Sequence, residues 1–366
     1  MNTLKSAFKN RFVQISFIAF LITLLLFIFT PPSINELVYK STLYPYIRIG
    51  LNNTLGKLPF PALYILLPLI VSALLYIPIQ QLIKKRYTNA LVYTLSYTAF
   101  LITIFFWIWG FHYNNEILVP QPDIDRYPLK TEVILSSFKS ALNLREELNT
   151  DSISPFSKSE TVQLVKDSGR IWLNKAVELL GDPPSIASNK VINWPRGFII
   201  RWGVVGMYFP FSGEATLDGG LHSIRFPSTT LHEWAHSMGY TNEGDCNLLA
   251  YLAAQFSSDP FVRYSAQIER LREEMYFAAI QNPNLYDTLK EQMPQILQND
   301  LINIQQFHAR YKGNFSEVGN WVNDQYLKTL SGENGIDEYW LWVIKLHIIE
   351  EQHPELFNSR FSPKKP

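Results

Sequence analysis

The sequence predicts a mainly α-helical protein with one small β-sheet, an α+β domain carried behind three transmembrane helices. Three observations predict it. Uncharged apolar runs fill the first third of the chain, apolar residues at helical spacing dominate the remainder, and one tract rich in Val, Ile, Phe, Tyr and Trp interrupts them.

With 366 residues, 47% of them hydrophobic, the chain can bury one soluble domain of ordinary size beyond its membrane part. Formal net charge is zero, so nothing offers the basic surplus of a nucleic-acid partner. The single cysteine, Cys246, excludes an intrachain disulfide and a Cys-rich structural metal site.

Residues 12–30, 58–80 and 90–111 contain no charged side chain, and each is long enough to cross the ~30 Å hydrocarbon core of a lipid bilayer. Residues 1–113 therefore read as a membrane region and residues 114–366 as a separate domain. Lys5, Lys9 and Arg11 precede the first span, and Lys84, Lys85 and Arg86 separate the second from the third. Positive charge stays inside, which places the N-terminus in the cytoplasm and, after an odd number of crossings, the domain outside the cytoplasmic membrane. The loop at residues 31–57, with Lys40, Arg48 and Lys57 against Glu36, then lies outside as well.

Helical spacing recurs over residues 130–148 and 159–180, the second stretch stopping at Gly181 before Pro183 and Pro184. Residues 191–218 read as two or more short strands. Within them Gly206, Met207, Tyr208, Phe209 and Phe211 form the expected edge strand for an extended peptide substrate. Glu214 is either a turn carboxylate or a substrate contact. Further amphipathic helices cover residues 261–310, residues 340–349 close the fold as a core helix, and the tail with Lys364 and Lys365 is expected to be disordered. His308, His347 and His353 read as surface or capping histidines.

The chemistry concentrates in TLHEWAHSMGYTNEGDC, residues 230–246. His232 and His236 stand at i and i+4, one above the other on a helix, so their imidazoles can share one Zn2+ ion. Glu233 sits beside the first, where a carboxylate can act as general base. A catalytic zinc needs a third protein ligand. Asn242 occupies the position where metzincins carry a third histidine, so that pattern is disfavoured. If Gly239 ends the helix and Thr241 or Asn242 caps the next, Glu243 falls in the new first turn and becomes the third ligand, with Asp245 the competitor. Asn247, one turn further, can orient a ligating histidine. Cys246 reads as a small buried hydrophobe, with ligation the alternative. Tyr326, Tyr240 and His222 are the candidates to stabilise a developing oxyanion.

This arrangement resembles the gluzincin peptidases, whose third ligand is a Glu with an Asp four residues later; Glu243 and Asn247 occupy those places, with Asn in place of Asp and a shorter gap from His236. Residues 206–253, WGFHYNN at 109–115 and VNDQYLK at 322–328 resemble a bacterial family of membrane-anchored HExxH proteins of unknown function. The resemblance implies a zincin-like α+β fold for the domain and zinc-dependent hydrolysis of peptide or protein substrates. An intramembrane protease is disfavoured because Arg225, Glu243 and Asp245 flank the motif. The alternative is a non-catalytic zinc-binding module, an envelope scaffold or sensor.

Overall fold

The computed structural model describes residues 10–120, 130–151, 153–154, 159–311, 313, 315–330 and 338–354, without the side chains of 159, 326, 327, 330 and 338–340. Lys5, Lys9, Lys364 and Lys365 lie outside the described residues. The architecture is mainly helical with one three-stranded sheet, and the chain forms two compact units.

The first unit runs to Glu116 and includes Ser188–Lys190 and Phe209–Glu214. Its helices are α1 (Arg11–Phe29), α2 (Tyr44–Asn53), α3 (Leu63–Ile83) and α4 (Tyr87–Ile108). Helices α1, α3 and α4 have 19, 21 and 22 residues, or about 29–33 Å at ~1.5 Å per residue, so each is long and apolar enough to cross a membrane. Both α1 and α3 pack against α4. Helix α3 starts at Leu63, five residues later than the apolar run, because Pro59 and Pro61 cannot extend it backwards.

The segment expected as a loop, residues 31–57, is itself helical, with a π-helical turn over Glu36–Leu43 ahead of α2. Amides tie it to the end of α4. Asn35 Nδ2 donates to the Phe111 carbonyl at 2.8 Å and to Asn115 Oδ1 at 2.6 Å, and Asn114 Nδ2 donates to the Thr30 carbonyl at 2.6 Å. That network gives the WGFHYNN stretch a structural use. Glu214 is neither a free turn carboxylate nor a substrate contact. It is buried, and its two oxygens accept the Ala62 and Leu63 backbone N–H groups at 3.0 and 2.9 Å, an anion capping the start of α3.

In the second unit, α5 (Thr131–Glu147) and α6 (Ser159–Leu179) occupy the two expected helical stretches. The sheet contains β1 (Val191–Trp194), β2 (Gly206–Phe209) and β3 (Glu214–Asp218) in the order β1-β3-β2, with β1 parallel to β3 and Val191 opposite Ala215. Strand β2 is thus an edge. Six further helices follow before the last: α7 (Phe226–Ser237), α8 (Glu243–Gln255), α9 (Pro260–Gln281), α10 (Pro283–Gln292), α11 (Gln295–Ala309) and α12 (Ser316–Leu330). The last is α13 (Glu338–Gln352). Every residue of α7 is buried, and α8 packs against α6, α7, α9 and α13, so the two helices form the centre of the core. His347 and His308 are half-buried and not surface groups; His347 Nε2 lies 2.9 Å from Glu274 Oε1, and only His353 is exposed.

Asp218 organises the approach to β2. Its carboxylate accepts the backbone N–H of Gly197 at 2.6 Å, Ile199 at 2.9 Å, Ile200 at 3.2 Å and Gly220 at 2.7 Å. Asp218→Asn turns an amide NH2 toward some of these donors and leaves them unsatisfied, which costs about 3 kcal/mol. The expected outcome is a clearly lower thermal midpoint for the detergent-purified chain than for the unsubstituted protein.

Candidate metal centre

Helix α7 ends where Gly239 takes φ +104, a conformation open to glycine that turns the chain sharply back. Asn242 then caps α8, its Oδ1 accepting the Asp245 N–H at 2.9 Å. Glu243, first residue of α8, is thereby turned onto the histidines. Its Oε2 lies 3.1 Å from His232 Nε2 and 3.3 Å from His236 Nε2, and the two Nε2 atoms are 3.0 Å apart. A tetrahedral ion with bonds of about 2.0 Å asks for donors about 3.3 Å apart, so the triangle fits zinc.

The far side of each ring fixes what this side offers. His232 Nδ1 meets Asn247 Oδ1 at 2.7 Å, and His236 Nδ1 meets the Tyr240 carbonyl at 2.8 Å. Both partners only accept, so each Nδ1 carries a hydrogen and each ring turns its Nε2 toward the same point. With the carboxylate oxygen, three potential ligand atoms face one point. Among the described residues this is the one group of three such donors, and Glu243 Oε2 has no hydrogen-bond partner. Burial alone would raise Glu243, but the two histidines pull its carboxyl well below the usual range.

Glu233, on α7, is buried with Oε2 unpartnered. Burial raises its carboxyl to about 7 against the opposing pull of both histidines. The backbone N–H of Tyr208 donates to it. A side chain at Gly206 would begin 2.5 Å from Glu233 Oε1, so the glycine is what lets the edge strand touch the carboxylate. Met207 is exposed and Tyr208 buried, the alternation of a strand with one covered face. Phe209 and Phe211 belong to the first unit, where their rings lie 5.8 Å apart.

Other sequence candidates lie elsewhere. Asp245 is not turned to the histidines; its carboxylate pairs with buried Lys345 Nζ at 2.8 Å and accepts the Leu118 N–H at 2.9 Å. Cys246 is a buried packing group whose Sγ sits 3.3 Å behind His236 Nδ1, outside the three-donor group. Tyr240 gives its phenol to Asp182 at 2.7 Å, so its contribution to the site is its carbonyl. His222 uses Nδ1 to accept the Ile224 N–H at 3.2 Å and sets its ring against Phe307, and among the described residues it is not one of the three clustered donors. Tyr326 is a residue of α12 whose side chain lies outside the described residues. Sequence reasoning missed Lys345, although one lysine within the apolar run of residues 340–349 was a legible signal of a buried partner.

A sequence model described as a protein of unknown function, DUF3810, matches residues 39–346. The chain belongs to the DUF3810 family. In this DUF3810 protein the matched stretch takes in the three donors, Glu233, Asn247 and Lys345. No curated protein matches the chain, and no solved structure does.

Two outcomes follow for this DUF3810 member. Asn247→Leu frees His232 to turn, and any affinity of the three-donor cluster for added Zn2+ should fall about 10- to 100-fold by chelator competition while the fold persists. Burial also lowers His222 to about 4 and His308 to about 3, with Arg225 adding to the effect at each. An unfolded imidazole binds its proton near 6.5 in ordinary surroundings, so below that pH the unfolded chain holds more protons than the folded one. Stability from these two groups is complete above pH about 6.5 and is lost as pH falls toward 4. Thermal midpoints across pH 7.5 to 4.5 should show that slope, flattened in a His222→Gln, His308→Gln variant.

Proposed function

We propose that this protein is a membrane-anchored zinc metallopeptidase hydrolysing peptide bonds outside the cytoplasm. The observation that carries the reading is the convergence of two imidazole Nε2 atoms and a carboxylate oxygen beside a second buried carboxylate that touches a strand edge. His232, His236 and Glu243 are the residues that would hold Zn2+. Bound there, zinc supplies Lewis acidity toward a peptide carbonyl and toward water.

The chain's own residues account for the rest. Asn247 and the Tyr240 carbonyl accept from the Nδ1–H of each ring, which leaves Nε2 as the atom each ring would offer to the ion. Glu233 takes a proton from the attacking water at its free Oε2 and returns it to the departing amine. Gly206, Met207 and Tyr208, as the edge of the sheet, offer backbone groups that hold a peptide extended past Glu233. Lys84, Lys85 and Arg86, in the tight turn between α3 and α4, support a cytoplasmic turn and an extracytoplasmic domain.

Glu233→Gln tests the reading. Zinc content should stay stoichiometric while hydrolysis of a peptide library falls by roughly 100- to 10,000-fold, the usual contribution of a general base. Undiminished hydrolysis removes Glu233 from the reaction, and zinc binding without hydrolysis in the unsubstituted protein supports a scaffold in place of an enzyme.

A further inference from the structure

Helix α12 is built inside out. Its half-buried face, toward the turn at Ile200–Trp202, carries Ser316, Gly319 and Asn323, at i, i+3 and i+7. Gly319 faces the Trp202 carbonyl so closely that a Cβ there would overlap it. The apolar side chains point outward instead. Trp321 is 65% exposed, Phe315 53%, Val322 52% and Val318 51%, and the Phe315 ring stacks on Trp202 at 4.9 Å and 22°. A soluble helix hides that stripe, whereas one lying in a membrane interface shows it.

We propose that Trp202, Phe315, Val318, Trp321 and Val322 form a ledge that sits in the headgroup boundary of the lipid bilayer. Three features select lipid over another occupant. The same chain carries three helices long and apolar enough to span a bilayer, so that apolar phase is permanently within reach of the domain. Two of the five residues are tryptophans, the side chain most at home where an apolar body meets polar headgroups. Exposed Arg201 precedes Trp202 and packs against Gly313, where its guanidinium can meet lipid phosphate.

The ledge bears on the proposed active site. Trp202 and Gly206 are separated by at most ~14 Å of chain, so a ledge at the interface holds the strand beside Glu233 close to the headgroups. The substrate class this favours is the membrane-proximal segment of another protein in the same bilayer. The ledge itself rests on the membrane-anchoring reading and is independent of peptidase activity.

Spin labels on the full chain in phosphatidylethanolamine and phosphatidylglycerol vesicles test it. Val318→Cys and Trp321→Cys report the ledge, Asn320→Cys another exposed position of α12, and Leu21→Cys a lipid-facing position of α1, while buried Cys246 sets the labelling background of the unsubstituted chain. The expected result is oxygen accessibility several-fold above that of a polar nickel reagent at 318, 321 and 21, reversed at 320. Polar-reagent accessibility at 318 and 321 with lipid values at 21 overturns the ledge and leaves the anchor standing. Aqueous values at 21 overturn the anchor and the ledge together. Dipolar broadening between labels at 318, or exclusion of both reagents there, assigns the face to a second copy or another protein and also overturns the proposal.

Discussion

A buried carboxylate left uncompensated costs several kcal/mol in roughly any protein interior. The arrangement of His232, His236 and Glu243 persists because its surroundings forbid each group from turning away. Each imidazole is held by a hydrogen bond on its far nitrogen, one to Asn247 and one to the Tyr240 carbonyl. The carboxylate is held by its place at the start of α8. A cation in the triangle would compensate the carboxylate, and the same three contacts would become those of a ligand set.

Holding Glu243 in place is the task of the residues around α8's first turn. Asn242 accepts from Asp245, and Asp245 in turn binds Lys345 of α13 and the Leu118 N–H. A buried ion pair contributes little net stability compared with apolar packing, but removing one partner strands the other. Its use here is register: a fully buried lysine on α13 and a buried aspartate on α8 meet in only one alignment of the two helices. That alignment fixes where the α8 N-terminus, and so Glu243, must lie. Gly239 completes the device by allowing the short reversal from α7 to α8.

What could be read from sequence depended on whether the relevant partner was near in the chain. The three apolar helices followed from composition alone. The geometry of His232, His236, Glu243 and Asn247 followed from helical period and capping within sixteen residues, 232–247. Residues whose partners lie far away were misread. Glu214 binds backbone at Ala62 and Leu63, Tyr240 spends its phenol on Asp182, and Asp245 finds Lys345. A carboxylate or a phenol has the same appearance in a sequence whether it faces a ligand or a distant backbone amide. Only Lys345, a charge in an apolar run, announced a hidden partner.

Gly206 shows how the site and the strand constrain each other. The strand edge reaches the Glu233 carboxylate only because position 206 has no side chain, and Tyr208 then supplies the N–H that steadies it. The carboxylate therefore has one oxygen oriented by the sheet and the other, Oε2, free to exchange a proton. If the ledge on α12 lies in the lipid headgroups, a substrate sharing that bilayer meets the strand by sliding in a plane. Confinement of both partners to one surface raises their effective concentration without any added contact. An edge strand with little side-chain relief then suffices to select its peptide, because location has already excluded most others.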